Sequence, residues 1–160
     1  MNRRTILAAP LLPLLGACQP GQGPTLAQAV ADAQAIVGGL QIAVPVLAAG
    51  GELSPQSEAL ATDALDGASK LLGAITPDLA NVTAATFLAS ACKLAGNALV
   101  ILANLPNILP ATRQKLLAAA VLLPIVQAVA ASILNQPPPV SAARVPSMDP
   151  ATARAVLGVR

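Results

Sequence analysis

The chain has 160 residues, nine of them basic and seven acidic, for a formal charge of +2. It contains no His, Trp or Tyr and a single Phe, Phe87. Without imidazole the usual general base near neutral pH and the commonest metal ligand are missing, and without aromatic rings there is no stacking surface for bases or sugars.

The first eighteen residues have a three-part layout. Asn2-Arg3-Arg4 is a basic head, Thr5 to Leu15 is an uncharged apolar run, and Leu15-Gly16-Ala17-Cys18 closes it with small residues before a cysteine. Charged head, apolar middle and small-residue end are the marks of an export signal. The run is short of the roughly 20 apolar residues a membrane helix needs, and Pro10 and Pro13 disturb it further. The alternatives are an ordinary secretory signal cut near Ala17 and an uncut signal anchor.

The closing tetrapeptide resembles the lipobox of bacterial lipoproteins. That resemblance implies removal of residues 1–17 and acylation of Cys18 with palmitate-type chains. The residue after the lipidated cysteine sorts such proteins: aspartate retains them in the inner membrane. Gln19 stands there, which implies the outer membrane, facing the periplasm. Residues 18–24 then form a short lipidated tether, because Gly and Pro oppose regular structure.

Removing Arg3 and Arg4 from the nine basic residues leaves seven, against seven acidic ones, so the mature chain is near neutral. The remaining basic residues, Lys70, Lys93, Arg113, Lys115, Arg144, Arg154 and Arg160, are scattered. This argues against a nucleic-acid partner.

A first helix is expected from about Thr25 to Ala49. Leu26, Val30, Ala33, Val37, Leu40, Val44 and Leu47 recur at helical spacing. Gly38-Gly39 weakens its middle, Pro45 is expected to kink or break its last turn, and Gly50-Gly51 ends it. Ser54-Pro55 opens a second helix as N-cap and first turn. Its apolar face is expected along Leu60, Ala64, Ala68, Leu71 and Ile75, with Leu65 and Leu72 beside it. Asp66 and Lys70 are placed to pair across one turn.

Thr76-Pro77 repeats the start signal and places a third helix from there to about Leu105. Phe87, Ala91, Leu94, Ala98, Ile101 and Leu105 form its apolar seam. Opposite runs a polar stripe, Thr83, Thr86, Ser90, Lys93, Asn97 and Asn104, the candidate interaction face. Cys92 falls with Leu88, Ala95, Leu99 and Leu102 and reads as a small buried hydrophobe.

A fourth helix is expected from Pro110 to about Asn135, with the seam Ala119, Leu122, Val126, Val129 and Ile133. Leu116 to Leu134 is nineteen residues without a charge, long enough to be weighed as a membrane span. Gln127, Ser132, Pro124 and six alanines favour a bundle helix instead. Residues 136–160 read as a linker, extended by Pro137-Pro138-Pro139, followed by a short helix that starts at Asp149-Pro150. No strand signal is present.

Chemistry-bearing patterns are thin. Seven serines lack a histidine to activate them, and Ser90 with Lys93 lacks an oxyanion site. Glu58, Asp63 and Asp66 read as a solvated face rather than a cation site. Cys92 has no second thiol or His for zinc. The expectation is an all-α protein, an antiparallel four-helix bundle over residues 25–135, tethered at Cys18. Its expected role is non-enzymatic and cofactor-free, a structural or interaction module whose partners are the membrane and an envelope protein or a second copy. The rival reading is a lipid-binding or membrane-inserting helical protein of carrier, lysis or pore type.

Overall fold

The computed structural model describes residues 25–105, 108–137 and 148–158. The lipobox, Cys18 and the tether lie outside the described residues, as does most of the proline-rich linker. Five α-helices follow in order: α1 Leu26–Ala49, α2 Pro55–Gly73, α3 Asn81–Ala103, α4 Pro110–Ile133 and α5 Pro150–Leu157. The described residues are otherwise turns and caps, with no strand among them. Helix α1 packs against α2, α3 and α4, α2 against α3, α3 against α4, and α5 lies on α4 and α1.

The start signals work at three of the five helices. Thr25 Oγ1 accepts from the Gln28 backbone N–H, Ser54 Oγ from Ser57, and an Asp149 carboxylate oxygen from Thr152. Each satisfies one of the four donors that a helix start leaves unpaired. The expected start at Thr76-Pro77 is not used. Leu79 N–H bonds to the Thr76 carbonyl in a turn, and α3 begins at Asn81 with no side-chain cap. The cap-and-proline signal is thus spent on the connection, and α3 starts about one turn before its first buried residues, Ala84 and Ala85.

Three helix ends use a left-handed residue, one of them Gly158 after α5 at φ +76°. Gly51 has φ +74°, with Gly51 N–H on the Ala48 carbonyl and Glu52 N–H on that of Leu47. Asn135, at φ +53°, closes α4 in the same way, with Gln136 N–H on the Ala131 carbonyl. Both are Schellman closures, which satisfy carbonyls that the last turn leaves open.

Neither proline inside a helix breaks it: of the two outcomes expected at Pro45 the broken turn does not occur, since α1 continues to Ala49, and α4 runs through Pro124. Pro45 lies among the exposed residues Gln41, Ile42 and Val46, so the carbonyl freed by its missing N–H is on the water side. Gly38-Gly39 does not interrupt α1 either. Gly39 faces α5, and a Cβ there would stand 3.0 Å from Leu157 Cδ2, so the end of that side chain would have to shift to admit one.

The core lies between α1, α2, α3 and α4. Ile36, Leu40, Leu47, Leu65, Leu88, Leu102, Leu122 and Val126 are its fully buried large side chains. Each contributes about 1.5–3 kcal/mol relative to an exposed position. The expected α2 face is displaced by one position. Ala61, Leu65, Ala68 and Leu72 are buried, whereas Leu60 is 55% exposed. In α3 the buried line is Ala84, Leu88, Ala91, Cys92, Ala95, Ala98 and Leu102. Phe87, Leu94 and Ile101 of the expected seam are only half-buried.

Candidate functional site

The polar stripe of α3 runs along the exposed side of that helix. Thr83, Thr86, Ser90, Lys93, Asn97 and Asn104 are all exposed, because the opposite side of α3 supplies the small core residues. Two of them serve their own helix: Thr86 Oγ1 donates to the Val82 carbonyl at 2.8 Å, and Asn104 Nδ2 to that of Val100 at 2.9 Å. Ser90, Lys93 and Asn97 keep their polar groups turned to solvent. Val82 and Val100, 60% and 62% exposed, fall at the same spacing along the stripe. The face is therefore mixed polar and apolar. Sequence reading missed these valines by sorting only polar residues onto that side.

Cys92 is buried, as its spacing suggested. It lines a crevice too narrow for water, with Ala33, Ile36 and Val37 of α1, Ala91 and Ala95 of α3, and Leu123 of α4. Loss of hydration pushes its thiol pKa up to about 12. A thiol held protonated is neither a nucleophile nor a metal ligand at neutral pH.

The acidic residues of α2 separate. Glu58 and Asp66 line an open cleft of about 270 Å³ against Gln41, Val44 and Pro45 of α1, while Asp63 points elsewhere into solvent. The expected pairing of Asp66 with Lys70 is not made. Gln41 Nε2 donates to Asp66 Oδ1 at 3.4 Å instead, a weak contact that ties α2 to α1. No group of three or more Cys, Asp or Glu side chains among the described residues is placed to hold a metal ion.

The feature sequence reading overlooked is an ion pair between α1 and α5. Asp32 is fully buried, and Arg154 covers it. Arg154 Nε donates to Asp32 Oδ1 at 2.9 Å and Oδ2 at 3.0 Å, and Nη2 donates to Oδ2 at 2.7 Å. Gln28 Nε2, one turn earlier on α1, donates to Oδ1 at 3.1 Å. The fork of the guanidinium matches both carboxylate oxygens, and no polar side-chain atom that is buried among the described residues lacks a partner. One sequence signal was there to be used. Asp32 is the only charge in α1 and falls one turn before Ile36, on the buried side.

Comparison with known proteins returned no match: no family model, no curated protein and no solved structure resembles the chain.

Proposed function

We propose that the chain is a bacterial envelope lipoprotein: exported, cut before Cys18, acylated on that cysteine, and held at the periplasm-facing side of the outer membrane. Its helical body serves as a structural or interaction module rather than an enzyme. The observation that carries this reading is the run Leu15-Gly16-Ala17-Cys18 behind a basic head and an uncharged apolar stretch. Buried acyl chains contribute about 0.8 kcal/mol per methylene, so two or more hold a protein durably on a bilayer. In this reading α1 to α4 form an antiparallel up-down-up-down bundle. The short connections 50–54, 74–80 and 104–109 support it, as does the packing of α1 on both α2 and α4. The working surface is the α3 stripe centred on Lys93 and Asn97.

Intact-mass measurement and membrane fractionation of the wild type and Cys18→Ser, expressed in a bacterial host, test the anchor. The wild type should gain acyl mass and sediment with membranes, and the variant should do neither. A mature wild-type chain that begins elsewhere or carries no lipid overturns the proposal.

A second reading has its own support. Helices α1, α3 and α4 are each long and apolar enough to cross a membrane, with mean hydropathy of 1.5, 1.6 and 2.3 over their most apolar windows. Fewer than half of the residues in each window are buried inside the body. A protein that opens and inserts would protect residues 116–134 from protease only when bilayer is present. Full solubility of Cys18→Ser, with cleavage unaffected by vesicles, excludes it.

A further inference from the structure

We propose that α5 is a detachable strap, pinned to the body by the Asp32–Arg154 pair, which opens and closes over a groove of α1 and α4 without unfolding α1 to α4. The strap does not depend on lipidation of Cys18.

Four observations lead to it. Helix α5 has eight residues, too few to persist without a surface beneath it. Only Ala153 of those eight is buried, and Arg154, Val156 and Leu157 are half-buried. Among the described residues α5 packs on α4 and α1 and on no other helix. Lifting α5 therefore takes away none of the described contacts among α1, α2, α3 and α4.

The groove is also shaped for this occupant. Asp32 and Gly39 mark two points on its α1 wall, about 10 Å apart at the rise of a helix. Arg154 meets the first through three hydrogen bonds. Leu157 rests on the second, where a Cβ would crowd it at 3.0 Å. One charge contact and one close apolar contact thus fix both the register and the direction of α5.

The pair is suited to release. Arg154 is 28% exposed at its side chain, so the pair lies at the edge of the body, and Asp32 is rehydrated as the strap lifts. A deep pair enclosed on all sides would have no such exit. With α5 lifted, the surface it leaves presents the Asp32 carboxylate beside the core side chains against which Ala153, Val156 and Leu157 pack. It fits a short helix with one arginine and a leucine three residues later, which is the chemistry of α5 itself.

Native-state hydrogen exchange on the full chain tests the strap without any substitution. Amides of residues 151–157 should exchange at least tenfold faster than those of α3 and α4, with the two groups responding separately to denaturant. Arg154→Ala should raise the α5 rates at least a further tenfold and leave those of α3 and α4 within about twofold. A labelled synthetic peptide of residues 148–160 should then bind full-length Arg154→Ala at least tenfold more tightly than the wild type, whose groove is filled. Exchange of α5 at the same rate as the core in the wild type overturns the proposal. So does a peptide that fails to distinguish an Arg154→Ala chain of wild-type helicity from the wild type.

Discussion

Raising the pH should unfold this protein through one thiol. Cys92 keeps its proton in the fold up to about pH 12 because no water reaches the crevice it lines. In the unfolded chain a thiol ionises near pH ~8.5. Above that value unfolding releases a proton that the folded state retains, so stability falls as pH rises. The slope is about 1.4 kcal/mol per pH unit, and the loss reaches about 3 kcal/mol by about pH 11. Other groups also titrate there, so the measurement is a difference between the wild type and Cys92→Ala. At neutral pH the variant should be less stable by about 1–2 kcal/mol, the cost of a small cavity beside Leu123. It lacks the thiol linkage, so the two stability curves should cross between about pH 9 and about pH 10. Urea melts followed by far-UV circular dichroism are the suitable assay, since the chain has neither Trp nor Tyr for intrinsic fluorescence. Curves that stay parallel up to about pH 11 would mean that the thiol ionises inside the fold. The placement of Cys92 between α1, α3 and α4 would then be wrong.

Other substitutions separate core, caps and surface. Leu122→Ala, at a fully buried position, should cost about 3–5 kcal/mol in urea melts, whereas Leu60→Ala, 55% exposed, should cost under about 1 kcal/mol, against the expectation that Leu60 lies on the α2 core face. Gly51→Ala, forced to φ +74°, should cost about 1–2 kcal/mol, and Ser54→Ala about 1 kcal/mol through the lost N-cap, both read as shifts in urea midpoint. Lys93→Glu on the α3 stripe should leave stability within about 0.5 kcal/mol. It should reduce in vivo crosslinking of that face to an envelope partner, and equal crosslinking yields would remove α3 from the proposed interface.

The helices were legible because their punctuation is local. A serine, threonine or aspartate cap and a glycine end act within four residues of themselves, and the starts of α1, α2 and α5 follow from them. The α3 start did not, because Thr76-Pro77 serves a turn equally well, and only the tertiary demand for Ala84 and Ala85 decides between the two. Pro45 and Gly38-Gly39 lower the helical propensity of α1 without ending it. Their intrinsic costs are real, about 1 kcal/mol for Gly and about 3 for Pro inside a helix. Both sites sit where the structure limits that cost, one facing water and the other facing Leu157. The α2 face was misplaced by one position because Leu60 and Ala61 compete for it. Periodicity scored the larger residue, whereas close packing of α2 on its neighbours buries the smaller one.

The Asp32–Arg154 pair escaped for a different reason. Its partners are 122 residues apart, and no periodicity links a carboxylate in one helix to a guanidinium beyond a proline-rich linker. What the sequence does hold is an inconsistency: a single acidic residue on the apolar side of an otherwise uncharged 24-residue helix. Burying it unpaired would cost several kcal/mol, more than one helix face regains by keeping its stripe. Such a residue demands a cation from elsewhere in the chain, and that cation must come from an element able to lie across α1. Among the scattered basic residues, Arg154 sits in a short helix-forming segment at the end of a long connection, free to reach that face. The isolated charge in an apolar stripe is therefore the place to look for a long-range contact, and here it determines where the last helix docks.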